Sequence, residues 1–593
     1  MNLDLNKAIV NSALWAAAGD ALGWITELVD IRGVRRRIGG DVLHEPIAWK
    51  RVIGGIRGAQ VTLPAGTYSD DTQLRLAVCR AIQGDGNFDI ELFAKVELPV
   101  WSAYALGAGR GSKAAAANLA KRDVNWFSNF FSYGDGRSYV QGGGNGAAMR
   151  VQPHVWRRAR SNDRSYLLDV VRDSLTTHGH MLGLCGAVFH ADCLSFALRT
   201  GEIPGPEEWM RFVNGWADIE GVIRNDYQLG RFWLGAWEEA SKSDITSAIA
   251  AVAEETRQYI VQLRELAPDW AKTYRTCIEI LDGFGRRQGT GTNTALAAAF
   301  LAWAGQDARL EDVLVCAANT IGSDTDTIGT MAGALLGVLA SDAPSWQIQD
   351  REYLIAEARR MATIAQGGRC ESFTYPDLIS WQAPATQGDA VGEVQGRPAL
   401  MGLGYLEPLG QSWKSGDFAY EWFRLEFGQS VLCKRRAETL SPLDERLVPS
   451  QGSGMRVTAT APNGHLSTAH VREREIAPAP VRTERAAINL PQAGRGQRGQ
   501  PMSDLFGDDA PVSGQRETRP QSPSREGQPA FVGKPARRDL DTLTDLAIRS
   551  NFDPTTLGEC FLQCLDAEDG IERGMVFSGI VAKAFLARKR RRN

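Results

Sequence analysis

The feature that most constrains the fold is a series of segments rich in alanine and leucine between Leu3 and Trp381, separated by glycine-rich connectors. Their apolar residues recur at i, i+3 and i+4, which is the spacing of one helix face, and the Val/Ile/Thr alternation of strands is scarce. The spacing predicts helices over residues 71–82, 165–176, 181–198, 247–266, 294–303, 310–317, 327–339 and 353–364. We therefore expect a compact, all-α domain over residues 1–380.

The remaining chain changes in texture. Short aromatic and polar runs over residues 381–442 favour a small extension, either of a few strands or of packed irregular chain. Residues 443–537 are rich in Pro, Gly, Ser and Arg and poor in aromatics, so they predict a disordered linker. Apolar periodicity returns over 538–593 and predicts a small helical module with a basic end, Arg588–Arg592. We expect catalysis to be independent of residues 445–593.

Composition narrows the class of protein. The chain has 593 residues, is 43% hydrophobic and 23% charged, and carries a formal net charge of -4, which excludes collagenous, wholly disordered and many-span membrane proteins. Nine cysteines without a CxxC pair favour reduced thiols and a cytoplasmic location. Asp20 interrupts the apolar N-terminal stretch, so no membrane or export segment is expected. The net charge gives no general argument for nucleic-acid binding.

Two clusters of acids and hydroxyls precede apolar helices. The first is GTYSDDT, with Ser69, Asp70 and Asp71, and the second is NTIGSDTDT, with Asp324, Asp326 and Thr327. Each cluster alone is equally typical of a helix N-cap followed by acidic first-turn residues. Two such clusters at the N-termini of core helices bury several negative charges close together, which costs free energy unless cations neutralise them. The pair therefore predicts a site for two divalent ions with oxygen ligands.

Three further segments carry polar groups. Asp20 lies between two glycines of an apolar helix and Glu27 follows that helix; their alternatives are a satisfied buried acid and a solvated loop acid. The glycine-rich run 142–150 can hold an anion on backbone N–H groups, aided by the helix start that follows, although a plain turn has the same composition. His178 is either a ligand-contacting side chain or a structural histidine near a helix start.

Taken together and in this order, the motifs resemble the ADP-ribosylglycohydrolase family, of the dinitrogenase-reductase-activating glycohydrolase type. The matching segments are GDALGWITE (19–27), GTYSDDT (66–72), GNGAAMRVQP (144–153), TTH (176–178) and NTIGSDTDTIGTMAGALLG (319–337). The family more often has threonine at the position of Ser69 and glycine at that of Ser323. The segment 201–287 is longer than a minimal member needs, which predicts an unusual cleft rim. The resemblance covers residues 5–365.

The resemblance implies an all-α fold with a binuclear magnesium centre, in which Mn²⁺ can substitute. It implies that the metal ligands are Ser69, Asp70, Asp71, Asp324, Asp326 and Thr327. The implied catalytic residues are Glu27, which resembles the acid beside the reacting ribose, and Asp70, Asp71 and Asp324. Asp20 is implied to support the metal ligands without binding the metal itself. The implied substrate-binding residues are Gly144, Asn145, Gly146, Met149 and His178.

The implied function is magnesium-dependent hydrolysis of the glycosidic bond between ADP-ribose and a modified acceptor, with a protein as the first candidate acceptor. Nucleic acid and small molecules remain alternatives as acceptors. Two alternatives to this function stay open: a magnesium-dependent phosphohydrolase of ADP-ribose or nucleotides, and a non-catalytic ADP-ribose-binding protein. The motifs do not define the linkage, the pathway or the oligomeric state. The C-terminal module is a candidate for binding a protein or nucleic-acid partner; its Cys560 and Cys564, four residues apart, are more typical of a core than of a zinc site.

Overall fold

The computed structural model describes residues 3–55, 58–133, 137–161, 163–449, 540–566 and 570–592. Most of the predicted linker, from residue 450 to residue 537, lies outside the described residues. Eight helices predicted from apolar spacing are present, each within three residues of the expected ends. The N-terminal body contains α1 (Leu5–Gly23), α2 (Ile31–Ile38), α3 (Asp70–Ala81), α4 (Ile90–Leu92), α5 (Leu98–Trp101), α6 (Arg110–Leu119), α7 (Gln152–Trp156), α8 (Leu167–Thr177), α9 (Met181–Thr200), α10 (Pro206–Asn214), α11 (Ala217–Asn225), α12 (Leu234–Ser241), α13 (Ile245–Arg264), α14 (Trp270–Ile280), α15 (Gly291–Gly305), α16 (Leu310–Asn319), α17 (Thr325–Leu339) and α18 (Arg351–Ala365).

Close contact between α1 and α17 sets the geometry of the body. A Cβ on Gly19 would lie 2.1 Å from the carbonyl oxygen of Gly329, and one on Gly23 would lie 2.2 Å from that of Thr325. Only glycine allows two helix backbones to approach so closely. The same device joins α9 to α15, where a Cβ on Gly186 would meet the Gly291 backbone at 2.2 Å. The small residues on several helix faces therefore mark a tightly packed centre.

Helix α9 is long and apolar enough to cross a membrane by length and composition, but 94% of that stretch is buried inside the protein. Its neighbours are the helices of the body, so its apolar character serves the core. None of the nine cysteines forms a disulfide, and seven of them are buried.

The expectation of an all-α fold is wrong in two places. Strands β1 (Trp49–Ile53) and β2 (Ala59–Leu63) form an antiparallel hairpin within the body, and a six-stranded sheet follows the body in the chain. The sheet contains β3 (Val391–Val394), β4 (Arg397–Leu400), β5 (Gly404–Ser415), β6 (Phe418–Leu425), β7 (Ser430–Arg436) and β8 (Ser441–Pro442), in the order β7-β6-β5-β4-β3-β8. Neighbouring strands are antiparallel except β3 and β8. The fold is therefore helix-rich with a C-terminal sheet. Both hairpin strands are only five residues long: β2, with Gln60 and Thr62 between apolar residues, does alternate and was missed, whereas apolar and polar residues do not alternate in β1.

The sheet packs directly on the helical body. The Lys434 amide donates to the carbonyl oxygen of Ala103 at 2.9 Å, and the Ser430 amide donates to the Asp350 carboxylate at 2.7 Å. The indole of Trp381 donates to the carbonyl oxygen of Lys95 at 2.7 Å. Apolar residues of both parts belong to one buried core.

The predicted start of the linker at residue 443 is wrong by several residues. The Leu443 amide donates to the carbonyl oxygen of Glu393 at 2.8 Å, and Gly402 donates to that of Leu447 at 2.8 Å. Val448 is 4% exposed and packs with core residues of the sheet. Residues 443–449 therefore complete the sheet, because Leu443 and Val448 pack in its core, which composition alone does not reveal.

The C-terminal module contains three helices, α19 (Leu540–Arg549), α20 (Pro554–Leu565) and α21 (Gly570–Arg592). Cys560 and Cys564 lie in its small core, as the spacing predicts, with Leu543 and Phe577 among their neighbours. Arg588, at the basic end, donates to the carbonyl oxygen of Ile548 at 3.1 Å and packs on Phe552. Ion pairs connect the module to the body: Arg122 with Asp541 and Asp545, each at 3.4 Å, and Lys583 with Glu91 at 3.4 Å.

Candidate active site

The first acid cluster forms the start of α3. Gly66 has φ +79°, in the left-handed region, and the turn brings Ser69 to the N-cap position. The Ser69 hydroxyl accepts the Asp71 amide at 3.3 Å, and Asp70 and Asp71 occupy the first turn. All three are buried. The cap interpretation and the site interpretation therefore both apply, since Ser69 caps the helix that presents the two carboxylates.

The second cluster forms the start of α17 and touches the first. Asp324 precedes the helix, and Asp326 and Thr327 lie in its first turn. The Thr327 hydroxyl is 3.4 Å from Asp71 Oδ1, across 256 residues of sequence. The close crossing of α1 and α17 places these helix starts side by side. Among the described residues, no three His, Cys, Asp or Glu side chains converge into a preformed metal-binding group.

Burial and mutual repulsion dominate the electrostatics of the two clusters. Burial raises the pKa of Asp70, Asp71 and Asp326 well above the usual range, and neighbouring carboxylates raise it further. Asp71 Oδ2 is buried without a hydrogen-bond partner among the described residues. Without a compensating cation, these acids therefore favour their protonated forms.

Asp20, on α1, supports the first cluster from below. Its Oδ1 accepts the Ser69 amide at 2.8 Å, and the side chain is fully buried. The satisfied buried acid that the sequence left as an alternative is therefore what the structure shows. Because its partners belong to the loop that carries Asp70 and Asp71, Asp20 fixes that loop.

Glu27 lies in the turn after α1 and faces the acid clusters. Burial raises its pKa to about 7, Arg51 counteracts this shift, and Asp324 adds to it. Arg37 donates to the carbonyl oxygens of Ile25 at 2.8 Å and Glu27 at 3.1 Å, which holds the turn. The alternative of a solvated loop acid is wrong, because only 13% of the Glu27 side chain is exposed.

The glycine-rich run forms a second wall, built around Asn145 and Gly146. The Asn145 amide group donates to Asp324 Oδ2 at 2.8 Å, and its backbone N–H donates to the carbonyl oxygen of Gly289 at 2.9 Å. A Cβ on Gly146 would lie 2.9 Å from the His178 ring, so a larger residue here would displace that side chain. The run therefore connects the second acid cluster to His178.

Two details define this wall more closely. Residues 146–150 form a turn, and the helix expected after the run begins at Gln152 as α7, which has only five residues. The His178 Nδ1 atom is 2.7 Å from the Thr177 hydroxyl, and burial lowers the pKa of His178 to about 3. The imidazole is therefore neutral and can act only as a neutral hydrogen-bonding or packing group.

These residues line a cleft of about 620 Å³. The cleft lining includes every candidate residue except Ser69, which lies behind it as the cap of α3: Glu27, Asp70, Asp71, Gly144, Asn145, Gly146, Met149, His178, Asp324, Asp326 and Thr327. The hairpin and the sheet add Arg51, Tyr420 and Lys434, which the sequence analysis missed. No local motif marks these residues, because contacts distant in sequence bring them to the cleft. The long segment 201–287 contributes only Arg286 to the described lining.

Comparisons with known proteins give one family match and several matches to solved structures. None of the curated proteins compared matches the chain, whereas 42 chains of solved structures do. One solved structure, described as an ADP-ribosylglycohydrolase-related protein complex, is 20% identical, with a TM-score of 0.38, and the match covers 61% of this chain and 99% of that chain. The model of the ADP-ribosylglycohydrolase family matches residues 1–367, which include both acid clusters, Glu27 and the glycine-rich run. The chain therefore belongs to the ADP-ribosylglycohydrolase family.

Proposed function

We propose that this protein is a magnesium-dependent hydrolase that cleaves the glycosidic bond between ADP-ribose and a modified acceptor, most simply a protein. The observation that carries the proposal is the contact between the two acid clusters, where Thr327 lies 3.4 Å from Asp71 beside the buried, unpartnered Asp71 Oδ2. The likeness to the dinitrogenase-reductase-activating type rests on the motifs around this site and carries no information about the acceptor.

The residues fit divalent cations in their chemistry. The set Ser69, Asp70, Asp71, Asp324, Asp326 and Thr327 offers carboxylate and hydroxyl oxygens, which are the ligands that Mg²⁺ and Mn²⁺ prefer. The raised pKa of Asp70, Asp71 and Asp326 and the orphaned Asp71 Oδ2 both point to missing positive charge. Bound Mg²⁺ would orient the ribose hydroxyls and polarise water at the reacting carbon.

The remaining steps belong to the side chains of this protein. Glu27 faces the acid clusters, its buried Oε2 has no hydrogen-bond partner among the described residues, and it accepts a proton from the attacking water. The water oxygen bonds to the anomeric carbon while the bond to the acceptor breaks through an oxocarbenium-like state. The acceptor leaves with the electron pair and takes up a proton. Asn145 and Gly146 orient the diphosphate, and neutral His178 packs against that wall.

The decisive experiment incubates the full-length protein with an ADP-ribosylated peptide, with Mg²⁺ or with EDTA, and identifies products by mass spectrometry. We expect free ADP-ribose and intact acceptor with Mg²⁺ and neither with EDTA. Asp71→Asn and Asp326→Asn should reduce the rate by at least ~100-fold, because each removes a charged ligand. Asp312→Asn, an exposed first-turn acid of α16 away from the cleft, is the matched control.

The products also test the alternatives. AMP or phosphate would indicate a phosphohydrolase and contradict the proposal. Binding of ADP-ribose without any cleavage would indicate a binding protein. The nine cysteines, none in a disulfide and seven of them buried, suit a reducing compartment, and we propose a cytoplasmic location.

A further inference from the structure

One wall of the cleft comes from elements that lie apart from the glycine-rich run. Hairpin residues Arg51, Ile53 and Gly54 line it together with Tyr420 and Lys434 of the sheet. Gly54 has φ +91°, and a Cβ there would lie 1.8 Å from the Tyr420 hydroxyl, so hairpin and sheet are in direct contact. The family match ends at residue 367, and the sheet begins at Val391. This wall is therefore built partly from structure outside the matched region.

The charge of this wall has one sign. Its charged residues in the described cleft lining are Arg51, on the hairpin strand that leads to Gly54, and Lys434, which pairs with Tyr420 between β6 and β7. The carboxylates of the lining all come from Glu27 and the two acid clusters. A cationic group entering beside this wall would therefore meet like charge.

Arg51 is held rigidly at the boundary between wall and acids. Its guanidinium lies over Trp24 at 5.2 Å and over Trp49 at 5.9 Å, and the two indoles meet edge to face at 5.2 Å. Arg37 lies on Trp49 at 4.7 Å and bonds the backbone of Glu27 at 3.1 Å. The stack therefore couples the position of Arg51 to that of the Glu27 turn.

The two charged groups face each other without a direct hydrogen bond. Arg51 Nη1 and Glu27 Oε2 are 3.9 Å apart, and both atoms are buried without a hydrogen-bond partner among the described residues. The glycosidic oxygen of an oxygen-linked acceptor, placed between them, would accept from the guanidinium, and after the bond to the anomeric carbon breaks it would donate as a hydroxyl to the carboxylate. A guanidinium cannot do this, because it has no acceptor to offer Arg51.

Resting on the proposed function, we propose that Arg51 is a specificity-determining residue that selects acceptors linked to ADP-ribose through oxygen, such as a serine hydroxyl, over acceptors linked through the guanidinium of arginine. In the reaction the bond from the anomeric carbon to the acceptor oxygen breaks, and that oxygen leaves with the electron pair. Arg51 donates to this oxygen as its negative charge develops. Water supplies hydroxide to the anomeric carbon and its proton to the acceptor by way of Glu27, which leaves the acceptor as a hydroxyl.

The test compares two peptides of the same sequence, one ADP-ribosylated on serine and one on arginine, by kcat/KM. The wild-type protein should favour the serine-linked peptide. Arg51→Gln should reduce kcat/KM for that peptide by about 10- to 100-fold, the loss typical of one charged hydrogen bond. Arg51→Lys should retain more of the preference than Arg51→Gln, and Arg51→Glu should reduce the serine-to-arginine ratio most strongly.

Arg35→Glu makes the same charge change on an exposed side chain of α2 and should leave the ratio unchanged. Thermal melting of each Arg51 variant checks folding, and the ratio of two substrates on one enzyme preparation is insensitive to partial loss of folded protein. A wild-type preference for the arginine-linked peptide, or a ratio unmoved in Arg51→Gln and Arg51→Glu, would overturn the inference while leaving the proposed function intact. Failure to release ADP-ribose from either peptide would instead contradict the proposed function.

Discussion

Asp20 holds Thr72 by two hydrogen bonds to one carboxylate oxygen, from the Thr72 amide at 3.0 Å and from its hydroxyl at 2.6 Å. With the Ser69 amide at 2.8 Å, the buried carboxylate accepts three hydrogen bonds from the loop that carries Asp70 and Asp71. We predict that Asp20→Asn lowers both stability and activity, because an amide offers one acceptor oxygen and turns its N–H₂ toward donors. Each stranded donor costs about 1–3 kcal/mol.

The measurement for Asp20→Asn is the melting temperature together with the Mg²⁺ concentration that gives half-maximal activity. The matched control is Asp4→Asn, since Asp4 is the N-cap of the same helix and accepts from exposed amides. Normal Mg²⁺ dependence in Asp20→Asn would show that Asp20 does not position the first cluster.

The approach of α1 to α17 gives a second prediction. A Cβ on Gly23 would lie 2.2 Å from the Thr325 carbonyl oxygen and 2.5 Å from Asp326 Cα, so Gly23→Ala must separate the helices where the second cluster begins. We expect a loss of about 1–3 kcal/mol in the free energy of unfolding and a fall in activity larger than this loss explains. Urea unfolding and kcat/KM test it. Gly221→Ala, in α11 with open space around it, should be neutral or stabilising.

The helices could be predicted from the sequence because their signal is local. Repeated apolar spacing marks α3, α9 and α17, and hydroxyl–acid pairs mark the starts of α3 and α17. The order of the motifs in turn led to the family. That Thr327 and Asp71 meet depends on the glycine contacts between α1 and α17, which no single segment encodes.

Other features could not be predicted because nothing in their own segments distinguishes them. Arg51 lies in a five-residue strand whose apolar and polar residues do not alternate, and nothing in the sequence around Lys434 distinguishes it from an exposed lysine of a strand. Only the fold brings both residues to the cleft. Leu443 and Val448 sit in a polar stretch, and only the sheet gives them a buried partner.

Buried histidine gives a prediction on pH. Burial, aided by Arg75, lowers the pKa of His190 to about 3 from 6.5, and its Nε2 lies 3.0 Å from the Gln152 amide nitrogen. Below pH 6.5 the unfolded chain binds a proton that the folded protein excludes, so this stability is complete above pH 6.5 and is lost as the pH falls toward 3. Between pH 6.5 and pH 5 the loss amounts to about 2 kcal/mol.

His190→Gln should therefore flatten the dependence of the unfolding free energy on pH between 7 and 5, relative to wild type. Urea unfolding at several pH values measures this difference, and the offset between the curves at pH 7 reports any packing cost separately. His44→Gln, at an exposed position, should leave the slope unchanged. Equal slopes for wild type and His190→Gln would contradict a neutral, buried His190.

The end of the sheet defines where the chain can be shortened. Among the described residues, a protein of residues 1–449 loses ion pairs to the C-terminal module, such as Arg122 with Asp541, whose side chains are 29% and 54% exposed. Pairs of this kind contribute little, so we expect wild-type kcat/KM and melting temperature.

A protein of residues 1–444 also loses Leu447 and Val448, which removes the 2.8 Å hydrogen bond from Gly402 to Leu447 and a buried apolar side chain. Its free energy of unfolding should fall by roughly 2–3 kcal/mol, and a sheet loosened in this way should lower the serine-to-arginine substrate ratio through Lys434 and the hairpin. Thermal melting and two-substrate assays of both truncated proteins test these expectations. The same melting temperature and substrate ratio in both would show that residues 445–449 do not stabilise the wall. Loss of activity in the longer protein would show that the C-terminal module takes part in catalysis.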